Sequence, residues 1–473
     1  MEQHSRDFLQ AADRAIADPT STGTRKALGQ LMPKLREQAI VDFGGSKDFD
    51  ALRTEVQAIR QHALEHLAHY LESFASAARE NGSSVHFARN GSELNDIVID
   101  ICARTEAQRI AKGKSMITEE TGLNAALEGA GFSVRETDLG EYIIQEAGET
   151  PSHIVGPALH KSKEEIRELF LERHDLGDRD LSDAPEMVAE ARKVLREDFL
   201  AADVGIIGSN ALIAENGYSM LVTNEGNGDL CANLPRVLIV CTSVDRVLPR
   251  ASDAMAMLRL LVRSTTGQAV SCYTSFYAGP RRPTDVDGPL ETHFVLLDNH
   301  RSEILASDYS EMLQCIRCGA CLNHCPVYMN AGGHAYGWVY PGPMGSVLTP
   351  LLTSLEESAH LPDACTACGR CEEVCPAAIP LPDLLRDLRR DKFEQRVTAK
   401  RWRWGMQLHT WLALHPRLYQ SVTNISAGLM HRIGRRNGVI RRLPFAGGWL
   451  KARDLPTPAG KTFQKLHQES LQE

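Results

Sequence analysis

Cysteines fall at Cys315-x2-Cys318-x2-Cys321-x3-Cys325-Pro326 and again at Cys365-x2-Cys368-x2-Cys371-x3-Cys375-Pro376. No other feature constrains the chain as strongly. The spacing is that of the bacterial ferredoxin run, in which three close thiolates hold one [4Fe-4S] cube and the fourth reaches across to the other. It assigns Cys315, Cys318, Cys321 and Cys375 to one cluster, and Cys365, Cys368, Cys371 and Cys325 to a second. The small residues Gly319, Ala320, Ala367 and Gly369 leave room for backbone amides to approach the sulfides, and Pro326 and Pro376 turn the chain away after each crossing ligand. Tetrahedral zinc sites also use Cys-x2-Cys spacings, but two four-member runs that each end in Cys-Pro favour the cubes. Such clusters take up electrons one at a time.

Twelve cysteines in a short secreted chain would suggest disulfides. Here eight lie in the two runs of a 473-residue chain whose first residues, Met-Glu-Gln-His-Ser-Arg-Asp, lack the basic-then-apolar pattern of a secretory signal. Metal ligation and a cytoplasmic location are expected. Cys102, Cys231, Cys241 and Cys272 lie in apolar or mixed surroundings and read as buried, inert thiols. With 43% hydrophobic and 24% charged residues the composition is that of a globular protein. No apolar stretch reaches the roughly 18 residues needed to span a bilayer.

Apolar periodicity divides the chain into four regions. Residues 1–80 read as helical, with Leu52, Val56, Ile59, Ala63, Leu64 and Leu67 at helical spacing. In 81–301 short apolar runs alternate with amphipathic segments. Strands are expected at 85–88, 115–118, 132–137, 153–155, 204–214, 219–222, 237–241 and 293–297, and helices at 93–112, 124–129, 163–173, 187–202 and 253–264. That alternation predicts an α/β domain with a largely parallel, covered sheet. Residues 302–381 form a compact module around the duplicated cysteine run, and 382–473 a basic, tryptophan-rich end.

The α/β region carries no recognisable nucleotide fingerprint. Gly113-Lys114-Ser115 resembles the end of a phosphate loop, yet Gln108 stands where its first glycine belongs. Without a flavin or nicotinamide site, the chain reads as a relay rather than a complete oxidase. Polar groups at 112–120, 137–141, 151–153 and 223–228 are candidates for ligand or partner contacts, and equally for ordinary turns and caps. His153 and His160 are ambiguous in the same way. Ala214-Glu215-Asn216-Gly217 is similar to the glutamate motif of CoA transferases, which would make Glu215 a nucleophile in an alternative, acyl-transferring reading.

Lys114 to Glu120, Thr137 to Gln145, Pro151 to Val155, Val222 to Gly228 and Asp298 to Ser302 resemble segments of the lactate-utilization (LUD) domain. Together with the double cysteine run, Gly337 to Pro350 between its halves and the basic end, the order resembles the iron–sulfur B subunit of the three-component L-lactate utilization system. The resemblance runs from about residue 50 onward. It implies a LUD domain of the NagB/RpiA/CoA-transferase-like α/β superfamily followed by an α-helical dicluster ferredoxin-like domain. It further implies an electron carrier acting in the oxidation of L-lactate to pyruvate with two partner subunits, one cysteine-rich and one with a second LUD domain. A ferredoxin-like subunit of another hydroxy-acid dehydrogenase is a further alternative, because fold and clusters do not fix a substrate.

The net charge of −9 conceals a basic end: 396–453 holds about a dozen Arg and Lys and no Asp or Glu. Trp402, Trp404, Trp411 and Trp449, four of the five tryptophans, lie there too. Indole rings beside cations suit a membrane surface, a quinone-linked acceptor or a protein interface. A solvated helical extension with its tryptophans in the core is the plainer reading. No nucleic-acid motif accompanies the charge, so no nucleic-acid partner is expected.

Overall fold

A computed structural model describes residues 7–17, 19–443, 450 and 453–471, apart from the side chains of 19–28. The chain forms two compact units, Met1–Lys392 and Phe393–Glu473.

In the first unit, β1 (Ser84–Ala88), β2 (Arg109–Lys112), β3 (Ser133–Glu136), β4 (Val204–Ile207), β5 (Ala211–Ile213), β6 (Tyr218–Thr223), β7 (Val237–Ser243), β8 (Val247–Leu248), β9 (Tyr273–Tyr277) and β10 (Glu291–Leu297) build two sheets. Six strands in the order β1-β10-β7-β4-β2-β3 are all parallel, and four more follow the order β8-β5-β6-β9. A parallel sheet must be covered on both faces, which explains the unbroken apolar run Val237-Leu238-Ile239-Val240-Cys241 in the fully buried β7.

Helices supply that cover. In chain order the helices of this region are α1 (Phe8–Ala17), α2 (Pro19–Asp42), α3 (Ser46–Glu65), α4 (Leu67–Glu80), α5 (Gly91–Arg104), α6 (Met116–Thr121), α7 (Leu123–Gly129), α8 (Leu139–Ala147), α9 (Lys163–Arg173), α10 (Ala184–Ala201), α11 (Asn227–Asn233) and α12 (Ala251–Thr265), of which α4, α5, α7 and α10 pack on the parallel sheet. Leu238, Val240, Phe294 and Leu296 meet Phe74 of α4 and Leu195 and Phe199 of α10. The alternate residues Val237, Ile239, Cys241, Val295 and Leu297 meet Leu94, Val98 and Ile101 of α5 and Leu123 and Leu127 of α7. Where α11 crosses β4 the backbones approach so closely that a Cβ on Gly205 would lie 1.8 Å from the Cys231 carbonyl oxygen, so only glycine fits there.

Several expected elements differ from this arrangement. The helix read over 93–112 stops at Arg104, and 109–112 leaves it to pair between β3 and β4 as β2. Tertiary pairing overrides helical periodicity here. The segment 204–214 is two strands, because Ser209 and Asn210 turn their side chains onto backbone groups, Ser209 Oγ donating to the Ala211 carbonyl and Asn210 Oδ1 accepting from Val222 N–H. Residues 115–118 open α6 rather than forming a strand. Residues 153–155 make a bend, in which His153 Nδ1 accepts from the N–H groups of Val155 and Gly156. β9, half exposed and weakly patterned, had no clear sequence signal. Cys272 is exposed, contrary to its reading as a buried thiol, whereas Cys102, Cys231 and Cys241 are buried and burial pushes each thiol up to about 12.

The cysteine module continues the first unit through α13 (Arg301–Leu305), α14 (Ala320–Asn323), α15 (Pro326–Ala331), α16 (Gly342–Leu352), α17 (Arg370–Glu373) and α18 (Leu381–Glu394). α3 buries Phe49, Leu52, Val56 and Ala63 in one core with α12 and with Ile316, Cys318 and Val374 of the cysteine runs. The N-terminal helices are thus part of the frame around the cysteines.

The second unit contains α19 (Lys400–Ala413) and α20 (Pro416–Gly434). Trp402, Trp404 and Trp411 are 65%, 68% and 51% exposed, so none of them is a core residue. Trp449 lies outside the described residues. Among the described residues no helix is long and apolar enough to cross a membrane.

Candidate metal centre and adjoining cavity

The two cysteine runs repeat each other's backbone. The second residue after the leading cysteine has positive φ in both, Arg317 at 59° and Ala367 at 56°, and the glycine after the next cysteine follows at 74° in Gly319 and 78° in Gly369. A left-handed non-glycine residue costs roughly 1–2 kcal/mol, so its occurrence in both copies marks a turn that the surrounding structure enforces. The turn points amides at sulfur. Arg317 N–H donates to Cys315 Sγ at 3.4 Å, and Ala367 N–H to Cys365 Sγ at 3.3 Å. The fourth cysteines are capped alike, by Tyr328 N–H on Cys325 Sγ and Ile379 N–H on Cys375 Sγ, both at 3.5 Å.

Cys315, Cys318, Cys321 and Cys375 line a single cavity with Gly319, Met344 and Pro376. Their thiols feel one another: burial first, then Cys318, Cys315 and Cys375, push Cys321 well up. Cys325 and Cys371 are raised in the same way, burial acting first and the thiols of Cys365 and Cys368 adding to it, with Cys371 brought to about 12. So many buried thiols cannot all ionise without cationic metal among them. Among the described residues no three His, Cys, Asp or Glu side chains converge tightly enough for one ion. Four cysteines lining one cavity are the donor set that a [4Fe-4S] cube takes. The two sets differ in exposure: three of the first four are buried, whereas Cys368 is exposed and Cys365 half-buried.

Arginines surround the buried set. Arg53 Nη2 donates to the Cys375 carbonyl at 2.7 Å, Arg36 Nη2 to the Val374 carbonyl at 3.3 Å, and Arg60 Nη2 to the Leu313 carbonyl at 2.6 Å. Burial brings the Arg60 guanidinium down to about 10, with Arg246 adding to the effect. Arg317 lies 4.5 Å over the Tyr340 ring. The half-exposed set has Arg389, which donates to the Cys365 carbonyl at 3.0 Å.

Behind these residues a buried ionic network joins the parallel sheet to the cysteine module. Arg301 holds Glu120 with two bonds of 2.8 and 2.9 Å and reaches Asp245 at 3.1 Å. Tyr340 donates to Glu120 at 2.6 Å. Arg246 and Arg60 lie 3.2 and 3.9 Å from Asp245. A separate pair explains Lys112, which is fully buried and donates to Glu136 at 2.5 Å and Glu119 at 3.0 Å. It is an ion-pair residue of the core, with no phosphate-loop geometry around it.

The polar groups singled out in the sequence converge in part. Lys114 and Ser115, Asp138, and Asn224, Glu225 and Asn227 line one cavity of about 300 Å³ at the C-terminal ends of β2, β3, β4 and β7, together with Arg246, Arg317 and Tyr340. The 151–153 group lies elsewhere, lining a second cavity with His160 and His334. His153 is buried, lies 3.2 Å from Asn323 and packs against the Gly319 turn. Burial lowers it to about 4, so it is a neutral spacer. His160 bridges Ser152 at 2.9 Å and Glu149 at 2.6 Å. Glu215 accepts from Ala251 N–H at 2.7 Å and thereby caps α12, which accounts for its place without nucleophilic chemistry.

Sequence reasoning missed Arg60, Asp245, Arg246 and Arg317. Arg60 did leave a signal, since it occupies the apolar stripe of α3 between Val56 and Leu64. Asp245 and Arg246 follow a strand end and show no local pattern.

An α/β domain with a parallel sheet, continued by a module that groups eight cysteines in two sets, defines an iron–sulfur protein of composite build. The LUD domain model matches residues 71–297 and the 4Fe-4S dicluster domain model residues 311–379. An uncharacterized electron transport protein of Escherichia coli (strain K12), YkgF, is 38% identical over 98% of this chain and 97% of its own. Lactate utilization protein B of Shouchella clausii (strain KSM-K16) is 41% identical over 88% of each, and that of Macrococcus caseolyticus (strain JCSC5402) 39% identical over 98% and 97%. The chain belongs to the lactate utilization protein B family and carries two [4Fe-4S] clusters. A solved DUF162 family protein from Deinococcus radiodurans is similar over 49% of this chain and 98% of its own at 12% identity and a TM-score of 0.29, too remote to support any structural inference.

Proposed function

We propose that the chain is the electron-relay subunit of an L-lactate oxidising system, acting with two partner subunits. Cys315, Cys318, Cys321 and Cys375 hold one cluster, and Cys365, Cys368, Cys371 and Cys325 the other. Each bound cluster takes up and releases one electron. Oxidation of lactate to pyruvate releases two electrons and two protons, and two clusters can take the electron pair in single steps. The contrast between a buried cysteine set and one with an exposed cysteine carries the reading, since it gives the relay an inner and an outer terminus. The chain's own residues enclose the inner set, turn amides toward the sulfurs and keep His153 neutral beside them.

Anaerobic mixing with the two candidate partners and L-lactate should bleach the visible cluster absorbance. Bleaching by a different hydroxy acid, with none by lactate, would overturn the substrate while leaving the relay. A membrane-facing acceptor is favoured by the exposed indoles of α19 in a segment free of Asp and Glu. Deleting residues after Lys400 should reduce co-sedimentation with anionic liposomes at least severalfold, and unchanged sedimentation would remove the membrane from the proposal.

A further inference from the structure

The cavity at the C-terminal ends of β2, β4 and β7 shares a wall with the leading turn of the first cysteine run. Ile316 and Arg317, between Cys315 and Cys318, line it, as do Thr242, Ser243 and Arg246 after β7. Open α/β sheets bind ligands at this edge, and about 300 Å³ accommodates a small organic molecule rather than a dinucleotide.

Its charge indicates which kind. Its lining residues Arg246 and Arg317 belong to a buried network behind the wall, in which four guanidiniums, Arg60, Arg246, Arg301 and Arg317, are set against two carboxylates, Glu120 and Asp245. Arg301 takes both Glu120 oxygens, and Asp245 is shared among Arg60, Arg246 and Arg301. Arg317 contacts the Tyr340 ring and the Met344 sulfur, neither a charged acceptor. The two arginines that face the cavity therefore have more donors than the protein supplies acceptors for. A planar carboxylate is the partner that guanidinium forks match. Acidic residues also line the cavity, toward its other end: Asp138 follows β3, three strand spacings and so about 14 Å from β7, and Glu225 accepts from the neighbouring Leu139 N–H at 3.1 Å. At the arginine end the nearby carboxylates are Glu120 and Asp245, both already paired with arginine.

We propose that this cavity binds a small α-hydroxy or α-keto carboxylate, its carboxylate held by Arg246 and Arg317, and that its occupancy lowers the reduction potential of the cluster held by Cys315. The choice of a hydroxy or keto acid rests on the proposed lactate reading, and the coupling rests on the assignment of Cys315 as a cluster ligand. Arg317 N–H donates to the Cys315 sulfur, while the guanidinium of the same residue faces the cavity. A bound anion offsets that positive charge, and net charge near a cluster sets its potential. By linkage the oxidised protein binds the anion more tightly than the reduced one.

Anaerobic calorimetry on the cluster-loaded full chain, with L-lactate, pyruvate and neutral 1,2-propanediol, tests the binding. Saturable heat is expected for the two acids and not for the diol. Arg246→Gln and Arg317→Gln should each weaken binding by about tenfold or more, the loss of a charge-assisted bond, and Arg317→Lys should restore part of it. Redox titration followed by electron paramagnetic resonance on the unaltered chain should show a lower midpoint for one cluster when an acid is saturating. Absent heat, equal affinity for the diol, or undiminished binding in both Gln variants overturns the site, and binding with no midpoint shift overturns the coupling. Calorimetry is independent of electron flow, so failure of lactate to bleach the clusters would count against the relay without deciding the cavity.

Discussion

Cys375→Ser should abolish the same cluster signal as Cys318→Ser, although the two residues belong to different runs, and Cys325→Ser should abolish the same signal as Cys371→Ser. The expectation follows from the thiol groupings, in which Cys375 shares a cavity with Cys315, Cys318 and Cys321 while Cys325 is coupled to Cys365 and Cys368. Iron content should fall from about eight to about four atoms per chain in each variant. Cys241→Ser, in the buried centre of β7, should retain both clusters. Anaerobic reconstitution, iron analysis and electron paramagnetic resonance of the reduced proteins measure all three. If Cys375→Ser removed the Cys371 signal instead, each run would hold its own cube and the crossed assignment would be wrong.

The duplicated cysteine run was legible because its spacing is local information with a chemical meaning, and the fold brings Cys375 to the cavity lined by Cys315, Cys318 and Cys321. The sheet was legible for a related reason: the apolar runs at 237–241 and 293–297 are what a strand buried on both faces requires, and they became the adjacent strands β7 and β10. Local pattern failed where distant residues decide the outcome. Arg109 to Lys112 continues a helical periodicity, yet pairing with β3 and β4 makes it a strand. The cavity shows both cases. Lys114, Asp138 and Glu225 stood out as members of polar groups, whereas Arg246 and Arg317 acquire meaning only when β7 ends beside the first cysteine turn. The exposed tryptophans of α19 could not be told from core residues by composition, since a basic helix reads the same whether its indoles are covered or not.

The buried network should be the most sensitive structural element outside the cysteines. Burial disfavours ionisation of Glu120, but Arg301, with bonds from Tyr340 and Asn299, holds its carboxyl below the usual carboxylate range. Asp245 is likewise opposed by burial and lowered strongly by Arg246, Arg301, Arg317 and Arg60. Carboxyls held below their unfolded values contribute stability above about pH 4, and that contribution is lost as the pH falls through the folded values. Arg301→Met strands the Glu120 carboxylate in the interior and removes one of the three arginines on Asp245, and breaking such a pair costs roughly 3–5 kcal/mol at pH 7. Without Arg301, burial favours the neutral form of Glu120. The deficit should therefore shrink as the pH is lowered toward 5, because protonating the stranded acid relieves it. Urea unfolding of both proteins at pH 7 and pH 5 measures this, and a deficit below about 1 kcal/mol, or one independent of pH, would contradict the network's role. Adding Glu120→Leu to Arg301→Met should recover part of the loss, since an apolar replacement of both partners leaves one fewer stranded charge. A double variant no better than the single one would place the cost in packing around the Arg301 side chain instead.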